Sequence, residues 1–189
     1  MNSKPSIQIL QKNELDVFFA AFSHILTTEF TQYEKNVVRY LLDKIYSLDN
    51  YKYWLENNLK TILIATCHPE FISGSDNKML KQVQHDNYQI VGFAVIDEPY
   101  GGVSLCRWLG VSKSYQNKGI GTTLIRQWLE LATSQGCHKV ELAAVTSAKH
   151  FYEKAGLELE GLRKLSYFGI DQYVFGKIIG KVKESSIIR

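Results

Sequence analysis

The sequence predicts a mixed α/β fold, a sheet flanked by helices. Three observations carry this. The N-terminal third places apolar side chains at helical spacing in three successive segments. From Thr61 onward, short β-branched and aromatic runs alternate with two further helical segments. A glycine-bearing loop joins one such run directly to a helix, with no internal repeat anywhere in the chain. Alternation of this kind gives a sheet covered by helices.

Ser6–Leu10 alternates as a short first strand. Leu15, Phe18, Phe19, Phe22 and Leu26 then mark a helix, with Asn13 as its expected N-cap. Val37, Val38, Leu41, Leu42 and Ile45 mark a second over Glu34–Ile45, and Tyr51, Trp54 and Leu55 a third over Asp49–Leu59. Thr61–Thr66 and Tyr88–Ile96 read as strands, and Asp97–Gly102 as the turn before a strand over Ser104–Val111. Leu124, Ile125, Trp128, Leu129 and Ala132 form the stripe of a helix over Thr122–Gln135, closed by Gly136. A strand over Lys139–Ala144 and a short helix over Ala148–Ala155 follow, then strands over Leu157–Gly161 and Ser166–Ile179, with Phe168–Asp171 read as a turn in which Asp171 takes part.

Residues 67–87 interrupt this order. Hairpin loops run about 2–5 residues, and loops beyond about 15 need an explanation. The stretch resembles peptides encoded by short palindromic elements that insert in frame into bacterial genes. It is read as a surface insertion in a single domain over 1–189. The other reading, a lid over the active site, lacks convergent polar groups beyond His68 and His85, and two isolated histidines do not make a metal site.

Composition excludes several classes of function. Hydrophobic residues make up 45% and charged residues 22%, which is globular composition. A net charge of +3 with scattered Lys and Arg gives no nucleic-acid footprint, though it helps to attract a polyphosphate. Cys67, Cys106 and Cys137 are odd in number and widely spaced, which argues against disulfides or zinc and for a reducing compartment. With no signal-like or membrane-length apolar run, a cytoplasmic protein is expected, without metal or membrane partner.

The chemistry is concentrated in Val111–Thr123. A strand ends, a loop with Gly119 and Gly121 follows, and a helix begins. The free N–H groups and dipole of that helix make an anion site. Glycines let backbone approach a phosphate closely, and successive amides form a nest. Lys118 adds positive charge. A dinucleotide fingerprint needs a third glycine where Leu124 stands, and a P-loop is absent.

The pattern Gln116-Asn117-Lys118-Gly119-Ile120-Gly121 is similar to the Q/R-x-x-G-x-G/A segment of the GNAT N-acetyltransferases. Ala148-Lys149-His150-Phe151-Tyr152-Glu153-Lys154-Ala155-Gly156-Leu157 resembles a second segment of that family, with Leu157 for its usual Phe. Many members also carry an asparagine where this chain has Val145, so one cofactor contact is missing. The resemblance spans Thr61–Lys177 apart from the inserted stretch. It implies a GNAT fold, a strongly twisted, mostly antiparallel mixed sheet flanked by helices. It also implies acetyl-CoA as co-substrate, its pyrophosphate held by Gln116, Asn117, Lys118, Gly119, Ile120, Gly121 and Thr122, and its pantetheine arm by Leu109 and Val111.

By the same resemblance, Tyr152 assists the departing thiolate and Glu141 serves as base toward a primary amine, in direct transfer within a ternary complex. Packing like Phe151 is the plain alternative for Tyr152. A solvated or ion-paired strand carboxylate is the alternative for Glu141. Asp97, Glu98 or a water chain are further candidates for the base, while His138 and His150 read as surface residues. Cys106 has no His or acid arranged beside it in sequence and is not expected to form a covalent intermediate. The acceptor, a small molecule or a peptide or protein amine, is left open. So are a non-catalytic acyl-CoA sensor, another acyl-CoA donor, and a monomer or homodimer.

Overall fold

The computed structural model describes residues 5–67, 88–182 and 184. The expected insertion, with its lid and metal-pair alternatives, lies almost wholly outside the described residues. Among those described, seven strands form one sheet: β1 (Ser6–Ile9), β2 (Lys60–Cys67), β3 (Gln89–Asp97), β4 (Val103–Val111), β5 (Lys139–Val145), β6 (Glu158–Arg163) and β7 (Gln172–Ile178). Their order is β1-β2-β3-β4-β5-β7-β6. Every neighbouring pair is antiparallel except β4 and β5. The fold is thus the mostly antiparallel mixed sheet expected from sequence.

Helices cover both faces. Those on one face are α1 (Leu15–Glu29), α2 (Lys35–Tyr40) and α3 (Leu48–Glu56); on the other are α4 (Ile120–Ser134) and α5 (Lys149–Lys154). Two apolar cores result. Phe18, Phe22, Leu26 and Tyr51 meet Ile62, Ile64, Phe93 and Trp108 on the first face. Leu124, Ile125 and Trp128 meet Leu63, Val91, Val140 and Leu142 on the second. Because β2 and β3 are covered on both sides, they are buried almost end to end. Strand β5 keeps the strict alternation of a half-buried strand.

Several boundaries differ from the sequence expectation, three of them with a clear local cause. Asn13 does not cap α1; a 3-10 turn over Lys12–Glu14 precedes the helix. A capping box between Gln11 and Glu14 opens that turn, with the Gln11 N–H donating to Glu14 Oε2 at 2.7 Å. The second helix widens into a π turn over Leu41–Ile45, where the Tyr46 N–H reaches the Leu41 carbonyl at 2.6 Å. Finally, β7 begins at Gln172. The turn expected over Phe168–Asp171 extends back to Ser166 as a tight loop, held by the Leu165 N–H donating to Asp171 Oδ1 at 2.8 Å. No helix among the described residues is long and apolar enough to cross a membrane.

The first core is dense with aromatic rings. Tyr51 lies 5.2 Å from Phe18 and 5.3 Å from Phe22, edge to face. It is 0% exposed, and among the described residues its hydroxyl has no hydrogen-bond partner. Burial pushes its pKa well up. An unmade buried hydrogen bond costs about 1–3 kcal/mol. Tyr51→Phe is therefore expected to stabilise the fold by about 1 kcal/mol, raising Tm by about 2–4 °C in a chain of this length. Thermal unfolding checks this, and a lowered Tm would mean that the hydroxyl has a partner in solution.

Candidate active site

Strand β4 carries one more residue than β3 beside it. Ile96 pairs with Cys106 and Val95 with Trp108, so Arg107 is the bulged residue. A bulge bends its strand and exchanges its faces. Cys106 accordingly joins the α4 side, while Trp108 turns to the α1 side. Leu109 and Val111 then return to the α4 side. Pairing of β4 with β5 stops at the same point, with Cys106 opposite Leu142. Beyond it, β4 pairs only with β3, and β5 only with β7. The two inner edges, over 107–111 and 143–145, carry main-chain groups that no strand among the described residues satisfies.

The loop after β4 sits at the mouth of this cleft. Asn117 and Gly119 both have positive φ, 59° and 80°. Gly119 is the N-cap of α4, and the Thr123 N–H bonds back to its carbonyl at 3.0 Å. The N–H groups of Ile120, Gly121 and Thr122 therefore have no acceptor within the helix. Together with the dipole of a helix of 15 residues they form an anion site. A Cβ on Gly121 would lie 2.8 Å from Phe151 Cζ, so glycine there lets α5 close against α4.

The Gln116 side chain serves as a latch. Its Nε2 donates to the Val111 carbonyl at 2.9 Å and to Glu29 Oε2 at 3.1 Å. Glu29 also accepts from the Lys113 N–H at 3.3 Å. The end of α1, the loop and the end of β4 are thereby tied together. Lys118 lies outside the cavity wall, its ammonium 5.1 Å from the centre of the Tyr115 ring.

A cavity of about 1470 Å³ runs from this loop through the cleft to the α1 side. Leu109, Val111, Gln116, Asn117, Gly119, Ile120, Gly121, Thr122, Glu141 and Tyr152 all line it. Its volume exceeds that of a typical pocket for one small ligand, about 300–1,000 Å³.

Tyr152, on α5, is 7% exposed and packs against Phe151 and Phe175 at ring distances of 4.9 and 5.4 Å. Among the described residues no group hydrogen-bonds its hydroxyl. Burial, and then the neighbouring Cys106, push its pKa up, so it stays protonated. Burial likewise pushes the Cys106 thiol up to about 12, and Cys106 donates to the Trp108 carbonyl at 3.4 Å. A thiol held neutral in this way is a poor nucleophile.

Glu141 sits on the opposite face of β5 from Val140 and Leu142. It pairs with Lys139 at 3.4 Å and Arg163 at 3.9 Å. Asp97 is engaged by Lys60 and Arg107, and neither it nor Glu98 lines the cavity. Arg107, Trp108, Tyr167, Phe168 and Gln172 were not among the site residues expected from sequence. All five line the α1 side of the cavity. Nothing local in the sequence marks the bulge that places Arg107 and Trp108.

A profile of the Acetyltransferase (GNAT) family matches residues 45–157. Several solved structures share the fold. Ard1 from Thermoplasma volcanium is 17% identical, covering 95% of this chain and 100% of its own, with a TM-score of 0.62. PaiA N-acetyltransferase from Thermoplasma acidophilum, in complex with coenzyme A, is 18% identical, covering 92% and 99%, with a TM-score of 0.65. YncA from Salmonella typhimurium, with its cofactor acetyl-CoA, is 14% identical, covering 95% and 96%, also at 0.65. No curated protein matches the sequence. The matched stretch is more than half of the chain and contains the splayed strands, the loop and α5, and the chain belongs to the Acetyltransferase (GNAT) family.

Proposed function

We propose that this chain is an acetyl-CoA-dependent N-acetyltransferase, a single domain that moves an acetyl group directly to a primary amine. The observation that carries this is the joining of two features in one cavity. Three unpaired N–H groups at the start of α4 suit a pyrophosphate, and the open edges of β4 and β5 suit an arm rich in amides. The residues present therefore fit acetyl-CoA, which supplies the activated acetyl group.

Ile120, Gly121 and Thr122 hold the pyrophosphate through their N–H groups, and Gly119 gives it room. Gln116 sets the loop against β4 through its latch. The Val111 N–H polarises the thioester carbonyl. The amine forms its C–N bond on that carbonyl as the C–S bond breaks. Glu141 accepts the amine proton, directly or through water. Of the three candidate carboxylates it is the one that lines the cavity. Tyr152 donates its hydroxyl proton to the departing thiolate and regains one from solvent. Cys106, buried and neutral, takes no part.

The test is a calorimetric and thermal titration with acetyl-CoA, with NAD as comparison, followed by thiol release with added amines. At about 100 times Kd, binding should raise Tm by about 5–10 °C, and NAD should leave it unchanged. Absence of binding to acetyl-CoA would sink the reading. Binding without thiol release for any amine would leave an acyl-CoA-binding protein.

A further inference from the structure

The α1 side of the cavity gathers three features that each favour a positive charge. The first is Glu29, the last residue of α1, half-buried in the cavity wall. Its Oε1 accepts from the Lys113 N–H at 3.3 Å and the Thr28 hydroxyl at 3.2 Å. Its Oε2 accepts from the Gln116 amide at 3.1 Å. A carboxylate oxygen can accept two such bonds, so Oε2 keeps a lone pair open. All three donors are neutral, and among the described residues no cationic side chain pairs with Glu29.

The second feature is the helix end itself. The C-terminus of α1 is the negative end of the dipole of a helix of 15 residues, where basic side chains are favoured and a carboxylate is not. The last turn contains no basic residue and ends on this acid. Charge and dipole therefore add where they would ordinarily cancel.

The third is aromatic. Phe30 follows Glu29 and lies 6.5 Å from Tyr33, ring to ring. Phe168, in the loop before β7, stands 6.2 Å from Tyr33 at 75° and 6.4 Å from Tyr40 at 64°. These rings line the cavity, and Tyr40 and Phe168 are 49% and 46% exposed, open to a ligand. Phe168 has a φ of 61°, a conformation that a bulky residue adopts only when its surroundings hold it there. Aromatic faces attract an ammonium group through the ring quadrupole.

The basic side chains of the cavity are placed elsewhere. Arg163 pairs with Glu141, and Lys154 stands on α5, which closes against the start of α4. Arg107 shares Asp97 with Lys60, on the Tyr46 side of the wall. The corner open to a cation is the one between Glu29 and the rings of Tyr33, Tyr40 and Phe168. A site that stabilises positive charge opposes the loss of a proton. It therefore suits a charge that the acceptor keeps, not the amine that must be neutral to react.

We propose that the acceptor of this chain is a diamine or polyamine. One amine takes the acetyl group, while a second ammonium is held between Glu29 and the rings of Tyr33, Tyr40 and Phe168. This rests on the acetyltransferase reading and deepens it.

The test compares cadaverine, spermidine, hexylamine and leucinamide as acceptors at saturating acetyl-CoA and low salt, by thiol release. Hexylamine has the shape of cadaverine with a methyl group in place of the second ammonium. The kcat/KM of the better of cadaverine and spermidine should exceed that of hexylamine by about tenfold or more. Glu29→Gln should cut this ratio by about tenfold and Phe168→Leu by about threefold. A ratio read within one variant separates this role from the Gln116 latch, because a loosened latch weakens acetyl-CoA binding and slows both acceptors alike. Hexylamine or leucinamide used as well as the diamines, or a ratio unchanged in both variants, would overturn the proposal while leaving the acetyltransferase reading intact. No turnover of any of these amines would overturn it as well, and acetyl-CoA binding then decides separately whether the cofactor site stands.

Discussion

Gly121→Glu is expected to abolish acetyl-CoA binding. The new carboxylate would stand among the N–H groups of Ile120, Gly121 and Thr122, at the positive end of α4. It would take the place of the pyrophosphate in that site and repel it. A single like-charge pair about 5 Å apart, at an effective dielectric near 20, costs about 3 kcal/mol, a factor of more than about 10² in Kd. The Cβ adds a steric cost, because it would stand 2.8 Å from Phe151 Cζ. Gly121→Ala separates the two effects. It should lose about 1–3 kcal/mol of stability by overpacking against Phe151, yet keep measurable affinity. Calorimetry on both variants, with melting curves of the free proteins, distinguishes them. Affinity within about threefold of the parent in Gly121→Glu would take the loop out of the site.

The second large effect is expected from Tyr152→Phe. The ring contacts with Phe151 and Phe175 survive the change, and only the hydroxyl is lost. Among the described residues no group bonds that hydroxyl, so its removal breaks no hydrogen bond seen there. Stability should hold within about 1 kcal/mol. As proton donor to the thiolate, however, its loss should lower kcat by about 10²-fold, or about 2.7 kcal/mol of barrier. The KM for acetyl-CoA should move far less. The pH profile gives a second reading. Burial raises the Tyr152 pKa above its ordinary 10.0, so the donor form persists up to that pH and beyond. The parent should therefore show no alkaline fall below pH 10 that Tyr152→Phe removes. Unchanged kcat in the variant would return Tyr152 to a packing role.

Much of the fold was legible because each element's pattern is local. The stripe of Leu124, Ile125 and Trp128 needs only its own spacing to read as a helix, and it is the face that packs on the sheet. The loop over Gln116–Gly121 was legible for the same reason: strand, glycines and helix start are contiguous. Misses arose where a residue's role depends on a distant partner. Asn13 had the chemistry of a cap, but Glu14 reaches back to Gln11 and sets the start of the turn before α1. The turn over Phe168–Asp171 was legible from its composition, but not that it sets Phe168 against Tyr33 and Tyr40.

The sequence alone determined that helices flank a mixed sheet, and that a glycine loop opening a helix can bind an anion. These follow from periodicity and from the free N–H groups of any helix start. Only the tertiary structure decided what surrounds that loop. Alternation along β4 would put Cys106 and Trp108 on one face. The bulge at Arg107, set by pairing with β3, puts them on opposite faces and coincides with the parting of β4 from β5. Strand register is a property of two chain segments at once, so one segment's residues cannot specify it. The cleft between β4 and β5, and the side of it to which Trp108 turns, exist because of that register.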